Sequence, residues 1–243
     1  MTSDKDQIYA TPRENIAKFS FDEQVAQVFP DMINRSVPGY GLLLEMISVI
    51  TARYARPDTW LYDLGCSLGA STLAMRYALP GACCRIIAVD NSPAMIERCQ
   101  NILNRDHHPV PVTLVCDDIQ QVIFQPSSVV AMNFTLQFIR PEKRSMLLTS
   151  IAAALCEGGA LILSEKLHFP CDGEEQTLQH LHHDFKRARG YSDLEISQKR
   201  ASLEEVLIPE SFDAHRARLL SAGFTRVTLW FQCFNFCSIL AIK

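Results

Sequence analysis

The chain has 243 residues, a formal net charge of −4, 48% hydrophobic and 21% charged residues. This excludes a globally disordered, collagen-like or coiled-coil chain, and the size allows one large domain with an insertion. The mild acidity argues against a protein built to hold a long nucleic acid, so no direct nucleic-acid binding is expected. No apolar run approaches the roughly 20 residues that span a bilayer, and the N-terminus MTSDKDQIYATPREN lacks the apolar core of a secretory signal. A cytoplasmic protein with no membrane partner is expected. The nine cysteines contain no C-x-x-C pair and fit reduced, mostly buried thiols.

Residues 1 to about 20 carry no apolar period and read as a mobile or partner-dependent arm. Residues 22–29 form a short helix that Pro30 ends. Pro38 opens a longer helix, with Leu42, Leu43, Met46, Ile47, Ile50 and Tyr54 at helical spacing. These first 57 residues form an arm and helices covering a site; residues 58–243 form the main domain. From residue 58 strands and helices alternate. Trp60–Leu64 is a strand, 70–78 a helix, Arg85–Asp90 a strand, and Ser92 caps the next helix. Val112–Cys116 and 128–133 are strands, 141–155 is a helix broken by Gly158-Gly159, and 160–164 is a strand. The strands are rich in Val, Ile and Leu without two-residue alternation, which means a parallel sheet covered on both faces.

Residues 167–209 interrupt this rhythm with His, Glu, Lys and Arg, and form helices near 174–189 and 192–206 inserted over the carboxyl edge of the sheet. A helix at 211–222 follows. The strands 226–232 and 235–242 are joined so tightly that they must be antiparallel. The fold class is α/β, Rossmann-like, with a terminal antiparallel hairpin.

In an open α/β sheet ligands bind beyond the carboxyl ends of the strands. The first such stretch is Asp63-Leu64-Gly65-Cys66-Ser67-Leu68-Gly69. Its glycines permit a sharp turn and close approach of a ligand. Asp90-Asn91 follows the second strand, about twenty residues further on, where a carboxylate accepts ribose hydroxyls. Asp118 after the third strand suits an adenine amino group, with Ile119 packing on the ring. Asn133-Phe134 follows the fourth. A dinucleotide wants G-x-G-x-x-G; Ser67 and Leu68 break that pattern, so S-adenosylmethionine fits better than NAD.

D-x-G-x-x-x-G and the acid at Asp90 resemble the class I S-adenosylmethionine-dependent methyltransferases, a seven-stranded fold. FDEQVAQVFPDMINRSVPGY, DNSPAMIERC, NFTLQF, SEK, HHDFKRARGYSDLEISQKR and WFQCFNF, across nearly the whole chain, resemble the bacterial carboxy-S-adenosyl-L-methionine synthases. The resemblance implies a transferase that takes S-adenosyl-L-methionine and prephenate to carboxy-S-adenosyl-L-methionine, phenylpyruvate and water. It implies a functional partner, a tRNA carboxymethyltransferase that modifies a wobble uridine. It also carries over Gly65, Cys66 and Ser67 by backbone, Asp90 and Asn91 for ribose, Asp118 and Ile119 for adenine, and Asn133 for the amino-acid end. Tyr40 and Arg200 are implied beside the added carboxylate. Arg200, whose planar fork suits a carboxylate, comes from the neighbouring subunit of a homodimer. The sulfonium acidifies its methyl protons, and the resulting ylide requires a dry pocket. The hydroxide leaving prephenate is expected to serve as base.

Other features have plainer readings. His180, His183 and Asp184 share a helix face, but no further ligand supports a metal, and none is expected. Lys186, Arg187 and Arg189 form a short basic patch, read as a solvated face, with RNA or prephenate as alternatives. Glu165 and Lys166 either pair or line the pocket. Cys233, Asn235 and Cys237 alternate on a strand face. The competing functions are a small-molecule methyltransferase and a non-catalytic nucleoside carrier; N-F-T-L at 133–136 lacks the prolines that amino-group methylation usually uses.

Overall fold

The computed structural model describes residues 4–243. Two helices, α1 (Glu23–Ser36) and α2 (Tyr40–Tyr54), precede the alternating part. It runs β1 (Trp60–Leu64), α3 (Ala70–Tyr77), β2 (Arg85–Asp90), α4 (Pro93–Leu103), β3 (Val112–Cys116), β4 (Ser127–Asn133), α5 (Pro141–Ala154) and β5 (Leu155–Lys166). The inserted helices are α6 (Asp172–Ala188) and α7 (Asp193–Leu203). The chain closes with α8 (Phe212–Ser221), β6 (Arg226–Cys233) and β7 (Phe236–Ile242).

The seven strands form one sheet in the order β3-β2-β1-β4-β5-β7-β6. The first five are parallel, and β7 lies antiparallel between β5 and β6. The order reverses between β1 and β4, so their carboxyl ends diverge into a crevice. β4 is buried along nearly its whole length because helices cover both faces. Two apolar clusters fill the layers: Tyr62, Val130, Leu148 and Ile239 on one side, Leu43, Ile47, Ile86 and Val129 on the other.

Three expectations are corrected. Pro30 does not end α1 but lies inside it. Proline removes one helical hydrogen bond at a cost of about 3 kcal/mol. Packing of Val25, Ala26 and Met32 against Phe19 and Met95 outweighs that cost. Gly158-Gly159 does not separate α5 from the next strand. β5 already begins at Leu155 and bulges there, pairing Ser127 with Leu155 and then Val129 with Ala160. Among the described residues the arm is tied down, although it has no helix or strand; residues 1–3 of that reading lie outside them. Asp6 is buried and accepts a hydrogen bond from the Tyr191 hydroxyl at 2.5 Å. Gln198 Nε2 donates to the carbonyls of Tyr9 and Thr11, each at 2.9 Å. The arm's partner is the insertion, a contact over some 185 positions that no local pattern announces.

The insertion roofs the crevice. Ser192 and Glu195 form a capping box that starts α7. Arg144 on α5, fully buried, donates from Nε to the Ile139 carbonyl at 2.9 Å and from Nη2 to the Ile208 carbonyl at 2.8 Å, and pairs with Glu210. It thereby joins the turn after β4 to the end of the insertion.

Candidate active site

The turn after β1 is set by its glycines. Gly65 has φ +79°, and a Cβ there would stand 2.2 Å from Thr135 Oγ1. Ser67 follows at φ +50°, in a region that side chains seldom adopt. The N–H groups of Gly65 and Cys66 donate to the Val89 carbonyl at 2.8 and 2.9 Å, and that of Ser67 donates to Asp90 Oδ2 at 2.9 Å. Those donors are spent on β2 and its end. A phosphate-binding turn needs free N–H groups. The Cys66 carbonyl is engaged as well, by Gly69 N at 2.8 Å. The Gly65 carbonyl remains, and a carbonyl oxygen suits a cationic group better than an anionic one.

Under the turn lies Asp63, fully buried, which accepts the Thr72 hydroxyl at 2.5 Å and anchors α3. Burial raises its carboxyl to about 7, against the pull of Thr72. Asp90 is raised as well, by burial first; both its oxygens accept backbone N–H, from Ser67 and Ser92. Its remaining lone pairs are free for ribose hydroxyls. Asp118 Oδ1 accepts from Gln120 N at 2.9 Å, and its side chain also takes the Gln120 amide, which an incoming amino group would displace. Asn133 donates to Ser71 Oγ at 3.1 Å, while its Oδ1 is buried without a partner among the described residues. An ammonium group of an amino acid would satisfy that oxygen, so the donor set fits S-adenosylmethionine.

These groups share one cavity of about 450 Å³. Gly65, Cys66, Ser67, Asp90 and Asn91 line it from β1 and β2; Asp118, Ile119 and Asn133 line it from β3 and β4. Tyr40 enters from the first residue of α2. Burial, then the Asp63 charge, raises its phenol, which stays neutral and able to donate. The Cys66 thiol is likewise raised, by its bond with Cys99 and by burial, and is no nucleophile.

Arg200 is outside this cavity. It is exposed and lines a shallow second depression with His183, Arg187 and Glu204. Lys199, one residue earlier, turns inward to the main cavity. The patch Lys186-Arg187-Arg189 divides in the same way. Arg187 pairs on the surface with Asp184 and Asp193, and Arg189 stacks on Phe185; Lys186 is buried in the cavity wall. The solvated-face reading thus fails for Lys186. Glu165 and Lys166 alternate along β5, so they do not pair. Glu165 is fully buried and accepts from Leu136 N at 3.0 Å, whereas Lys166 lines the cavity.

Four further residues line the cavity: Lys166, for which lining the pocket was one of the two readings; Lys186, for which prephenate was an alternative to a solvated face; and Lys199 and His182, which sequence reasoning missed as liners. His182 bonds the Ser36 carbonyl at 2.8 Å and meets the Phe236 ring edge-on at 4.8 Å. Burial first, then nearby lysines, lower it to about 3, so it is neutral. The i, i+4 spacing of His182 and Lys186 was the available signal. Among the described residues no three His, Cys, Asp or Glu side chains are placed to hold a metal, and no helix is long and apolar enough to cross a membrane.

Known proteins bear on this arrangement. Residues 61–159 match a family described as a methyltransferase domain. The carboxy-S-adenosyl-L-methionine synthase of Trichlorobacter lovleyi is 57% identical over 100% of both chains. That of Marinobacter nauticus is 57% identical over 98% of this chain and 95% of its own. The chain belongs to the carboxy-S-adenosyl-L-methionine synthase family. Among solved structures, the S-adenosylmethionine-dependent methyltransferase SibL superposes with a TM-score of 0.63 at 16% identity, over 97% of this chain and 64% of that one. This likeness gives the synthase family its class I methyltransferase fold: the strand order and terminal hairpin are as the sequence implied.

Proposed function

We propose that this synthase-family chain converts S-adenosyl-L-methionine and prephenate into carboxy-S-adenosyl-L-methionine, phenylpyruvate and water. The observation that carries the reading is full-length identity of 57% to a carboxy-S-adenosyl-L-methionine synthase, joined to a cavity with both a nucleoside end and a cationic end. Prephenate loses carbon dioxide and hydroxide. The hydroxide takes a methyl proton and leaves as water, and a new carbon–carbon bond holds the carbon dioxide, so atoms and charge balance.

The chain's residues have four tasks in this reaction. Asp90 and Asn91 hold ribose, Asp118 and Ile119 hold adenine, and Asn133 takes the ammonium. The β1 turn orients the sulfonium with its Gly65 carbonyl. Tyr40 donates to the carboxylate as it forms. The aromatic wall of Phe134 and Phe236, 5.8 Å between centroids, with the roof above it, excludes water that would reprotonate the methyl carbon. Arg200 faces away from its own cavity, a placement suited to completing the site of a second copy, so the active form is a homodimer. A tRNA carboxymethyltransferase consumes the product in the cytoplasm to modify a wobble uridine.

The test is mass spectrometry of small molecules after incubation with S-adenosyl-L-methionine, with and without prephenate. A species heavier by one carbon dioxide, formed only with prephenate and together with phenylpyruvate, is expected. Accumulation of S-adenosyl-L-homocysteine, or no change, overturns the reading.

A further inference from the structure

The roof of the cavity carries more positive charge than the protein neutralises. Lys166 comes from the end of β5, Lys186 from α6 and Lys199 from α7, and all three line the same cavity. Lys186 and Lys199 are buried, with their ammonium groups 5.5 and 5.8 Å from the centroid of the Tyr191 ring. The only ion pair that any of the three makes among the described residues is Lys199 with Asp6, at 3.8 Å. Asp6 is itself engaged by the Tyr191 hydroxyl, and Lys199 otherwise donates to Ser36 Oγ at 3.2 Å. Repulsion from Lys199 and Lys166 adds to burial in lowering Lys186 to about 7, and burial lowers Lys199 to about 8 despite Asp6.

Buried charges are normally paired, because removing an ion from water costs more than folding can spare. Three ammonium groups face one cavity, and apart from the 3.8 Å contact with Asp6 the nearby carboxylates, Glu195, Asp31 and Glu175, act on them without forming an ion pair, so the site's missing component is anionic. Three lysines on one cavity wall give cationic capacity for a ligand with more than one negative charge. The neighbouring wall is aromatic, from Tyr40, Phe134, Phe236 and the neutral His182, so the same ligand has an apolar ring.

We propose that Lys166, Lys186 and Lys199 form the binding subsite for the carboxylates of the second substrate, a ring-bearing dicarboxylate. The assignment of that dicarboxylate as prephenate rests on the proposed function; the cationic subsite does not. The lysines anchor the dianion under the roof, with its ring on the aromatic wall, and so fix where carbon dioxide is released relative to the methyl group.

The test separates the two ligands. Wild-type protein saturated with S-adenosyl-L-homocysteine, which has no methyl to react, is titrated calorimetrically with prephenate. Lys186→Gln and Lys199→Gln should each raise the prephenate Kd at least tenfold and leave the S-adenosyl-L-homocysteine Kd within twofold; Lys186→Arg should recover most of the loss. Lys186→Met, which removes a buried charge, keeps the wild-type Tm or exceeds it and guards against misfolding. Unchanged prephenate affinity in the glutamine variants, parallel loss of nucleoside affinity, or no prephenate binding to wild type overturns the subsite. Prephenate that binds wild type through these lysines but yields no carboxylated product supports the subsite and overturns the reaction. Carboxylated product from all variants at unchanged prephenate KM does the reverse.

Discussion

Lys199 and Arg200 are consecutive on α7 and face opposite ways. Lys199 is buried 3.8 Å from Asp6 in the main cavity, and Arg200 is exposed beside His183 and Glu204. Neighbouring residues on a helix diverge by about 100°, so one short basic run serves two surfaces. Lys199 can reach only its own site. Arg200 is available to a second copy.

This geometry predicts complementation. Arg200→Ala and Asp90→Ala homodimers should both be inactive in carboxy-S-adenosyl-L-methionine formation. Co-expressed and mixed, they should recover about one working site per heterodimer. Light scattering should give a dimer mass for wild type. A monomer, or no recovery in the mixture, counts against the shared site.

Asp90→Ala also tests the nucleoside end. The change removes two acceptors of backbone N–H, from Ser67 and Ser92, together with the proposed ribose partner. Loss of hydrogen bonds to a charged acceptor costs about 1.5–3 kcal/mol, so calorimetry should register a Kd for S-adenosyl-L-homocysteine roughly 10- to 100-fold higher. An unchanged Kd would place the ribose elsewhere.

The lysine roof predicts a pH profile. Lys186 is faced by Lys199, Lys166, Asp6 and Glu195; Lys199 is faced by Asp6, Arg35 and Asp31. With Lys186 lowered to about 7 and Lys199 to about 8, both are cationic only below those values. The kcat/KM for prephenate should therefore fall as pH rises from 7 to 9, while nucleoside affinity holds. A profile flat over that window sinks the prediction.

His215 gives a stability test away from the site. It is fully buried on α8, and burial, only partly offset by Glu210, lowers it to about 4. The unfolded imidazole titrates near 6.5. Between these values the unfolded chain holds a proton that the folded chain does not, so stability is lost as pH falls through that window, by up to about 1.4 kcal/mol per pH unit. Urea melts at pH 7.5, 6 and 5 should show a steeper decline for wild type than for His215→Gln. Equal slopes would reject the assignment.

Arg144→Ala tests the strut beneath the roof. It removes one of the two guanidinium partners of Glu210, which keeps Arg218, and the donor to the carbonyls of Ile139 and Ile208. The buried carbonyls left without a donor cost about 1–3 kcal/mol each, and thermal melts should show a clear drop in Tm. Loss below about 1 kcal/mol would mean water replaces the guanidinium freely.

Much of the nucleoside end was legible because its residues follow strands at regular intervals. Gly65 directly follows β1, Asp90 ends β2 and Asp118 stands two residues past β3, and the sheet brings such strand ends together. The roof was not legible in this way. Lys166 was left between pairing with Glu165 and lining the pocket, Lys186 sits in a basic run that reads as a solvated face, Lys199 stands beside Arg200, and only packing tells Lys186 from Arg187. Pro30 was misread for a similar reason: its local cost is fixed, but the burial that offsets it comes from Phe19 and Met95, remote in the chain.

The sequence by itself determined the period of its elements, the turn chemistry at Gly65 and the antiparallel closure by β6 and β7, because these depend on residues a few positions apart. Its long blocks also indicated the family. Only the tertiary structure decided which charges are buried, where Arg200 points, and that the arm from Asp6 to Phe19 locks onto α7. Those outcomes depend on desolvation, which is set by whatever packs from elsewhere in the chain and not by any residue's own neighbours in sequence.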